Sequence, residues 1–325
     1  MATNPHDATQ EPLIALVGPT ASGKTALALT IADRLPHMMA RGGVEIVSAD
    51  SRQIYRLMDI ATAKPTVDER ARVPHHLLDM VWPDESYTLA EYQRDAQAAI
   101  AAIQARERLP MLVGGTGLYV RAVVDGLAIP QVAPRLDLRA ELEAEAMARG
   151  AHALTERLQR VDPASAARID PGNVRRLIRA IEVSEVSGKP FSEQQGSRPT
   201  PYATALMLGL AMDRKALYAR ADERIEEMMR GGLVEETRAL VERGYSWALP
   251  SMSSLGYREM GAYLRGELTL AAATEHFKFA THAYIRRQMT WFRADPRIHW
   301  LNATLPLHEL ASAATEAICR ALATD

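Results

Sequence analysis

The stretch GPTASGKT, residues 18–25, has the residue types and spacing that bind phosphate groups. Gly18, Gly23, Lys24 and Thr25 satisfy the pattern G-x-x-x-x-G-K-[ST]. In such a loop, backbone N–H groups and the start of the following helix hold phosphate oxygens, the lysine reaches a terminal phosphate, and the last hydroxyl can bind Mg²⁺. The motif does not specify the carrier of the phosphates, and a pyrophosphate on something other than a nucleotide fits equally well.

A second candidate for chemistry is the aspartate that ends the apolar segment VEIVSAD (44–50). This segment and LIALVGP (13–19), which precedes the phosphate loop, are typical of buried strands. Ligands of a parallel sheet gather at the carboxyl ends of its strands, so Asp50 is expected beside the loop. Its carboxylate suits a general base acting on an acceptor or a partner for the water around bound Mg²⁺, while capping of the next turn is the structural alternative. Asp79, in HLLDMV, is a weaker candidate of the same kind.

Glycine and arginine clusters add possible binding surfaces. GGTGLYV (114–120) follows the short apolar segment MLVGG, its paired glycines let a ligand or another backbone approach closely, and Thr116 offers a hydroxyl. NVRRLIR (173–179) places arginines on one helical face, and YIRRQMTWFR (284–293) mixes arginines with aromatic residues. Such mixtures suit phosphate binding and base stacking. Each cluster alone also fits a solvated helix face; the two together favour an anionic polymer.

The composition narrows the class of protein. With 325 residues, of which 47% are hydrophobic, the chain can bury a large core, and its single cysteine, Cys319, permits no internal disulfide. No apolar run approaches the ~20 residues that cross a bilayer, so we expect no membrane contact and a cytoplasmic location. Residues 1–12 are polar without a signal-peptide pattern and are expected to form a short disordered lead-in. Because the net charge is −2, nucleic acid would have to bind local basic patches.

The pattern of elements predicts two parts. Up to about Val120, strands alternate with helices, which predicts a parallel sheet covered by helices on both faces. We therefore predict an α/β core formed by residues 1–120 and 200–325, with a helical insertion formed by residues 121–199. Beyond the strands already named, the predicted elements are a weaker strand at 75–81, a helix at 89–106, a central strand at 203–212, helices at 214–243 and 270–292, a strand at 298–303 and a last helix.

Taken together, nine motifs in one order resemble the bacterial tRNA dimethylallyltransferases, also called tRNA isopentenyltransferases. The resemblance extends from about Leu13 to Trp300. It implies a P-loop NTPase-like α/β sheet with an inserted all-helical domain that grips tRNA. The motifs are GPTASGKT, ADSRQIY, MDIATAKP, PHHLLD, GGTGLYV, RRLIRAIEV, SGKPFSEQQ, LGYREM and RRQMTWFR.

The resemblance also implies a reaction. Members of this family transfer the dimethylallyl group of dimethylallyl diphosphate to N6 of the adenosine just 3′ of the anticodon, position 37, in tRNAs that read codons beginning with U. Diphosphate leaves with Mg²⁺, and no phosphoryl group is moved. For this chain we accordingly expect Mg²⁺ as cofactor, the tRNA anticodon stem-loop and dimethylallyl diphosphate as substrates, and a monomeric protein.

Matched position by position, the resemblance assigns roles to individual residues. Asp50 corresponds to the general base, Arg224 to an arginine that steadies the pyrophosphate, Lys24 to the lysine of the diphosphate loop, and Thr25 to the magnesium contact. The diphosphate loop comprises Gly18, Pro19, Thr20, Ala21, Ser22, Gly23, Lys24 and Thr25. The positions matching tRNA contacts are Asp50, Ser51, Arg52, Gln53, Thr116, Arg139, Arg175, Arg176, Leu177, Ile178, Arg179, Ser253, Ser254, Leu255, Gly256, Tyr257, Arg258, Arg286, Arg287, Gln288, Met289, Thr290, Trp291, Phe292 and Arg293.

Three other functions compete for the same motifs: an adenylate dimethylallyltransferase acting on free AMP or ADP, a P-loop small-molecule kinase using ATP, and a nucleotide-dependent RNA-binding module. A kinase has no need for two arginine clusters and a helical insertion, and a binding module has no need for Asp50 beside the loop. The second arginine cluster and the insertion favour a polymer over a free nucleotide. Three places depart from the family pattern: Ala61 stands where glycine is usual, APRLDLR (133–139) lacks the usual Asp-Pro before Arg139, and His282 stands where arginine is common.

Overall fold

The computed structural model describes residues 13–38, 42–196, 202 and 204–323. The chain divides into two compact units: Met1–Val124 with Pro201–Asp325 forms the larger one, and Asp125–Thr200 the smaller one. The expected lead-in at residues 1–12 lies outside the described residues, as do residues 198–201 of the segment RPTPY (198–202), which breaks the pattern before the strand predicted at 203–212.

The larger unit is built on a six-stranded parallel sheet, which confirms the predicted fold class. The strand order is β3-β2-β4-β1-β5-β6, and every strand pairing is parallel. The first strands are short apolar runs because side chains on both faces of the sheet are buried. The strands are β1 (Ile14–Val17), β2 (Val44–Ser48), β3 (His75–His76), β4 (Leu109–Gly114), β5 (Leu206–Ala211) and β6 (His299–Asn302).

One strand prediction needs correction. The strand expected at 75–81 ends after His76, because Leu77 and Asp79 adopt positive φ values of 63° and 56°, which an extended strand does not allow. The strand expected to be central at 203–212 is β5, which lies inside the sheet because it pairs with β1 on one side and with β6 on the other.

Helices cover both faces of the sheet in the larger unit, and further helices form the smaller unit. In chain order they are α1 (Lys24–Met38), α2 (Val67–Arg72), α3 (Leu89–Gln104), α4 (Gly117–Val124), α5 (Leu136–Arg149), α6 (Ala151–Val161), α7 (Pro163–Ala166), α8 (Val174–Ser187), α9 (Arg214–Arg230), α10 (Leu233–Glu242), α11 (Tyr257–Leu264), α12 (Leu270–Arg293) and α13 (Leu307–Ala323). One apolar cluster joins the sheet to α1 and α13, and Cys319 packs at its edge, while a second joins the opposite face to α3 and α4. None of these helices combines the length and apolar character needed to cross a bilayer, among the residues that are described.

The prediction of a single helix at 214–243 is wrong, because the structure has two separate helices there, α9 and α10. Gly231 ends the first helix and Gly232, with φ of 92°, precedes the second. Such a backbone angle costs glycine little and favours a break at this position. The break lets α10 turn back to pack against α11 in a third apolar cluster that includes Met58, Leu233 and Phe277.

The smaller unit has its own core. Helices α5, α6 and α8 pack around Leu142, Leu154, Leu158, Leu177 and Ile181, all fully buried. Two glycines end its helices: Gly150 separates α5 from α6, and Gly188 follows α8 in a left-handed conformation.

The turns after β2 and β4 touch through their backbones. The Ala49 N–H donates to Val113 O at 2.8 Å, and the Thr116 N–H donates to Ala49 O at 3.1 Å. A Cβ atom at Gly114 would lie 2.1 Å from Ala49 O, so only glycine fits there. This contact holds Asp50 and Thr116, which lie in the two turns, close together.

We predict that Gly114→Ala lowers the free energy of unfolding by about 3 kcal/mol, because the added methyl group must push the two backbones apart. Urea unfolding of the purified chain measures this change. Gly42→Ala is the matched control, since a Cβ atom there meets no atom closer than 3.4 Å. Equal stability of the two variants would contradict the assigned contact.

Candidate active site

A cavity of about 870 Å³ opens at the carboxyl edge of the sheet in the larger unit. Its floor is the phosphate loop and its sides are the turns after β2 and β4, as expected for a parallel sheet. Helices α9 and α12 and the turn before α11 complete the wall. The residues singled out for chemistry, Lys24, Thr25, Asp50 and Arg224, all line this one cavity.

The phosphate loop has the conformation that its glycines allow. Gly18 and Gly23 have φ values of 147° and 93°, which L-residues rarely adopt, and they turn the chain from β1 into α1. The Lys24 ammonium donates to Gly18 O at 2.9 Å and to Pro19 O at 2.7 Å, so it lies inside the loop. Burial lowers the pKa of Lys24 to about 8; the negative charge of Asp50 opposes this shift and the positive charge of Arg224 adds to it.

Asp50 is held in place by the turn that it begins. Its Oδ1 accepts a hydrogen bond from the Arg52 N–H at 2.8 Å, which fixes the direction of the carboxylate. Thr116 Oγ1 accepts from the Ser51 N–H at 3.1 Å and donates to Ser51 Oγ at 3.3 Å. The turns after β2 and β4 are thus joined by side-chain as well as backbone hydrogen bonds.

Arg224 brings a second cation into the cavity from α9. Burial lowers the pKa of its guanidinium, and the negative charges of Glu227, Asp50 and Glu69 oppose this shift. Together with Lys24 it places positive charge around a space large enough for a phosphorylated ligand. Arginine and lysine in a partly desolvated cavity bind phosphate oxygens strongly.

Sequence reasoning did not identify an inward face of α12, although it named Gln288 as an RNA contact. Thr281, Tyr284 and Gln288 follow one another at helical spacing and all line the cavity. Burial and the negative charge of Asp50 raise the pKa of Tyr284 to about 12, while a hydrogen bond with Thr116 opposes this shift. The spacing of these polar side chains, three and four residues apart, could have indicated this face. The arginines beside them instead indicated an exposed, RNA-binding helix.

Two buried hydroxyls in the cavity wall have no hydrogen-bond partner among the described residues. They are Ser22 Oγ in the phosphate loop and Thr281 Oγ1 on α12, in residues that are 2% and 6% exposed. Buried polar groups are nearly always hydrogen-bonded, so a polar ligand in the cavity would supply their partners.

The candidate RNA contacts of the larger unit divide into exposed and buried side chains. Ser253, Arg258, Arg286, Arg287, Thr290, Trp291 and Arg293 are exposed; Ser51, Arg52, Gln53, Thr116, Leu255 and Met289 are half-buried; Ser254, Gly256, Tyr257, Gln288 and Phe292 are buried. Arg286 donates to the hydroxyl of Tyr218 at 3.1 Å, and Arg287 lies over the ring of Tyr284. The exposed side chains of Arg286, Arg287, Trp291 and Arg293 therefore form a basic and aromatic strip along α12, and Arg287 also lines the cavity.

The candidates of the smaller unit lie on and beside α8. Arg175 and Arg176 are exposed, whereas Leu177 and Ile178 belong to the core. Arg139 donates to both oxygens of Glu182 at 2.8 Å, and Arg179 donates to one of them at 2.6 Å. Glu182 is fully buried, which would raise its pKa, but these hydrogen bonds outweigh burial and lower it. The carboxylate thus orients two of the candidate arginines.

Asp79, the weaker sequence candidate, and the nearby His76 have structural partners. Asp79 forms ion pairs with Lys64 at 2.6 Å and with Arg70 at 2.7 Å. His76 Nε2 lies 2.6 Å from a Glu45 oxygen. Among the described residues no group of three His, Cys, Asp or Glu converges to hold a metal ion.

Comparison with known proteins shows which family this chain is similar to. The family model described as IPP transferase matches residues 53–295. The tRNA dimethylallyltransferase of Roseiflexus castenholzii is 55% identical over 91% of this chain and 94% of its own length. The tRNA dimethylallyltransferase of Chloroflexus aurantiacus is 52% identical over 89% of this chain and 95% of its own length. The crystal structure of the full-length tRNA isopentenylpyrophosphate transferase of Bacillus halodurans superposes with a TM-score of 0.71 at 39% identity, covering 97% of each chain.

We predict that affinity for inorganic diphosphate weakens above pH 8 because Lys24 must be protonated to bind it. Lys24 loses its proton as the pH rises through its pKa of about 8, and binding must then restore that proton. Between pH 7 and pH 9, the affinity of the wild type relative to Lys24→Arg, which stays charged, should fall roughly ten-fold.

Calorimetric titration at each pH measures this ratio, in which the ionisation of the ligand cancels. A ratio that stays constant from pH 7 to pH 9 would place Lys24 away from the bound diphosphate.

Proposed function

The chain belongs to the IPP transferase family, and from this premise we propose that it transfers the dimethylallyl group of dimethylallyl diphosphate to N6 of an adenosine in tRNA. The acceptor is the adenosine 3′-adjacent to the anticodon, position 37, in tRNAs that read codons beginning with U. The single observation that carries the proposal is that Asp50 shares a cavity with the phosphate loop and Arg224. That arrangement sets a proton acceptor opposite an anion-binding surface.

In the proposed reaction, the bond that breaks lies on the side of the phosphate loop, and the proton that is removed lies on the side of Asp50. The bond between C1 of the dimethylallyl group and its bridging oxygen breaks, and the electron pair leaves with the diphosphate. The lone pair of N6 forms the new C–N bond. The proton that N6 then gives up passes to the Asp50 carboxylate, which the Arg52 N–H holds in position.

Stabilisation of the leaving group is the larger task for the protein. Negative charge develops on the diphosphate as the C–O bond breaks, and groups positioned for that charge lower the barrier. Lys24, Arg224 and the N–H groups at the start of α1 supply positive charge and hydrogen bonds. A nucleobase must leave its stack to enter the cavity, and the exposed strip of arginines with Trp291 on α12 suits an RNA that carries it there.

A Mg²⁺ ion fits this site as a cofactor bound mainly through its substrate. Thr25, at the start of α1, offers a hydroxyl, and the described residues contain no cluster of three metal-binding side chains. Magnesium commonly binds in this way, with one or two protein oxygens, phosphate oxygens and water. When bound, the ion adds positive charge that stabilises the departing diphosphate.

One assay separates the proposed reaction from its competitors. Dimethylallyl diphosphate labelled in the dimethylallyl group is incubated with the protein and unmodified tRNA, AMP, or ATP with small acceptors. Label in the tRNA supports the proposal. Label only in AMP would identify a free-nucleotide prenyl transferase, and phosphoryl transfer from ATP without prenylation would identify a kinase.

We predict that Asp50→Asn lowers kcat for transfer to tRNA by at least about 100-fold, because the amide cannot accept the N6 proton. Its carbonyl oxygen still accepts from the Arg52 N–H, so the turn should keep its shape and tRNA should bind with near-normal affinity. Single-turnover kinetics and a tRNA binding titration measure the two effects.

Asp33→Asn is the control, since Asp33 is an exposed aspartate on α1 outside the cavity. Near-normal turnover by Asp50→Asn would remove Asp50 as the base.

A further inference from the structure

Gln288 differs from its neighbours on α12. Arg286, Arg287 and Thr290 are exposed, whereas Gln288 is only 6% exposed and points into the wall of the cavity. Its two amide atoms contact two different turns. The Thr20 N–H of the phosphate loop donates to Gln288 Oε1 at 2.9 Å, and Gln288 Nε2 donates to Gly115 O at 2.9 Å.

The contact with Gly115 is close enough to restrict that position. A Cβ atom at Gly115 would lie 2.4 Å from Gln288 Nε2, so a larger residue there would displace the amide. The side chain therefore binds backbone on both sides within the protein. Both the oxygen and the nitrogen of the Gln288 amide are hydrogen-bonded to backbone groups, so the amide is poorly placed to form hydrogen bonds with an RNA.

Of the two turns joined by Gln288, one binds the leaving diphosphate and the other positions the turn that carries the general base. Thr20 belongs to the loop that binds the diphosphate, and Gly115 precedes Thr116, whose hydroxyl holds the Ser51 N–H beside Asp50. A short chain of hydrogen bonds thus runs from the phosphate loop through Gln288 to the turn that carries Asp50.

We propose that Gln288 is a positioning residue that sets the separation between the bound diphosphate and the acceptor adenine, and is not itself an RNA contact. The inference rests on the proposed function. A small change in that separation misaligns the reacting carbon and N6, and such misplacement is costly for transfer even when both substrates still bind.

The test compares four variants in transfer from dimethylallyl diphosphate to tRNA and in tRNA binding. Gln288→Met keeps the size of the side chain and removes both hydrogen bonds. Gln288→Glu can still accept from Thr20 but donates to Gly115 only when protonated. Gln93→Met removes a comparable side-chain bond to Ala122 O away from the cavity, and Arg286→Ala alters the exposed strip.

We expect Gln288→Met to lower single-turnover kcat about 10- to 100-fold while the Kd for tRNA changes less than about three-fold. Gln93→Met should retain wild-type kcat, and Arg286→Ala should weaken tRNA binding and reduce its salt dependence. The rate of Gln288→Glu relative to the wild type should rise as the pH falls from 8 to 6, since the protonated carboxyl regains the donor.

The outcomes separate the inference from the proposed function. If the wild type transfers no label to tRNA, the proposed function fails. If the wild type is active, a Gln288→Met variant with normal kcat, or one that loses tRNA affinity as Arg286→Ala does, overturns the positioning role. Should Gln288→Met fail to fold, the pH response of Gln288→Glu decides, and a constant ratio to the wild type overturns the inference.

Discussion

The site depends on the close packing of two backbones, at Ala49 and Gly114, where the turns after β2 and β4 meet. No side chain separates them, and a methyl group at Gly114 would lie 2.1 Å from Ala49 O. Parallel strands bring their carboxyl ends to one edge, but side chains usually keep neighbouring turns apart. Here the glycine lets the Asp50 carboxylate and the Thr116 hydroxyl belong to one hydrogen-bonded unit beside the phosphate loop.

The second constraint is electrostatic, because Lys24 and Arg224 line the same cavity as Asp50. Burial lowers the pKa of both cations, and the negative charge of Asp50 opposes the shift in each case. A diphosphate entering the cavity would favour their charged forms further. The aspartate thereby helps to keep Lys24 charged in the free protein, and it accepts a proton in the proposed reaction.

Much of the fold follows from the sequence, because β1, β2 and β4 are mostly apolar runs with a glycine or an aspartate at their end or within two residues of it. The short β3 could not be predicted, since positive φ values at Leu77 and Asp79 arise from the surrounding turn. The candidate residues of the loop and Asp50 could be identified from sequence motifs. The inward positions of Tyr284 and Gln288 could not be predicted, because they depend on which face of α12 meets the sheet edge. The pairing of Arg139 with buried Glu182 could not be predicted either, because it depends on long-range packing.

The central claim is that the phosphate loop grips a diphosphate that departs intact, with no phosphoryl transfer. The most direct measurement uses dimethylallyl diphosphate carrying ¹⁸O in the oxygen that bridges carbon and phosphorus, with tRNA as acceptor and mass spectrometry of the products. The account predicts that all of the ¹⁸O appears in the released diphosphate and that the tRNA gains a dimethylallyl group without ¹⁸O. Recovery of ¹⁸O in dimethylallyl alcohol with a diphosphoryl group on the tRNA, or in dimethylallyl phosphate with a phosphoryl group on the tRNA, would contradict it.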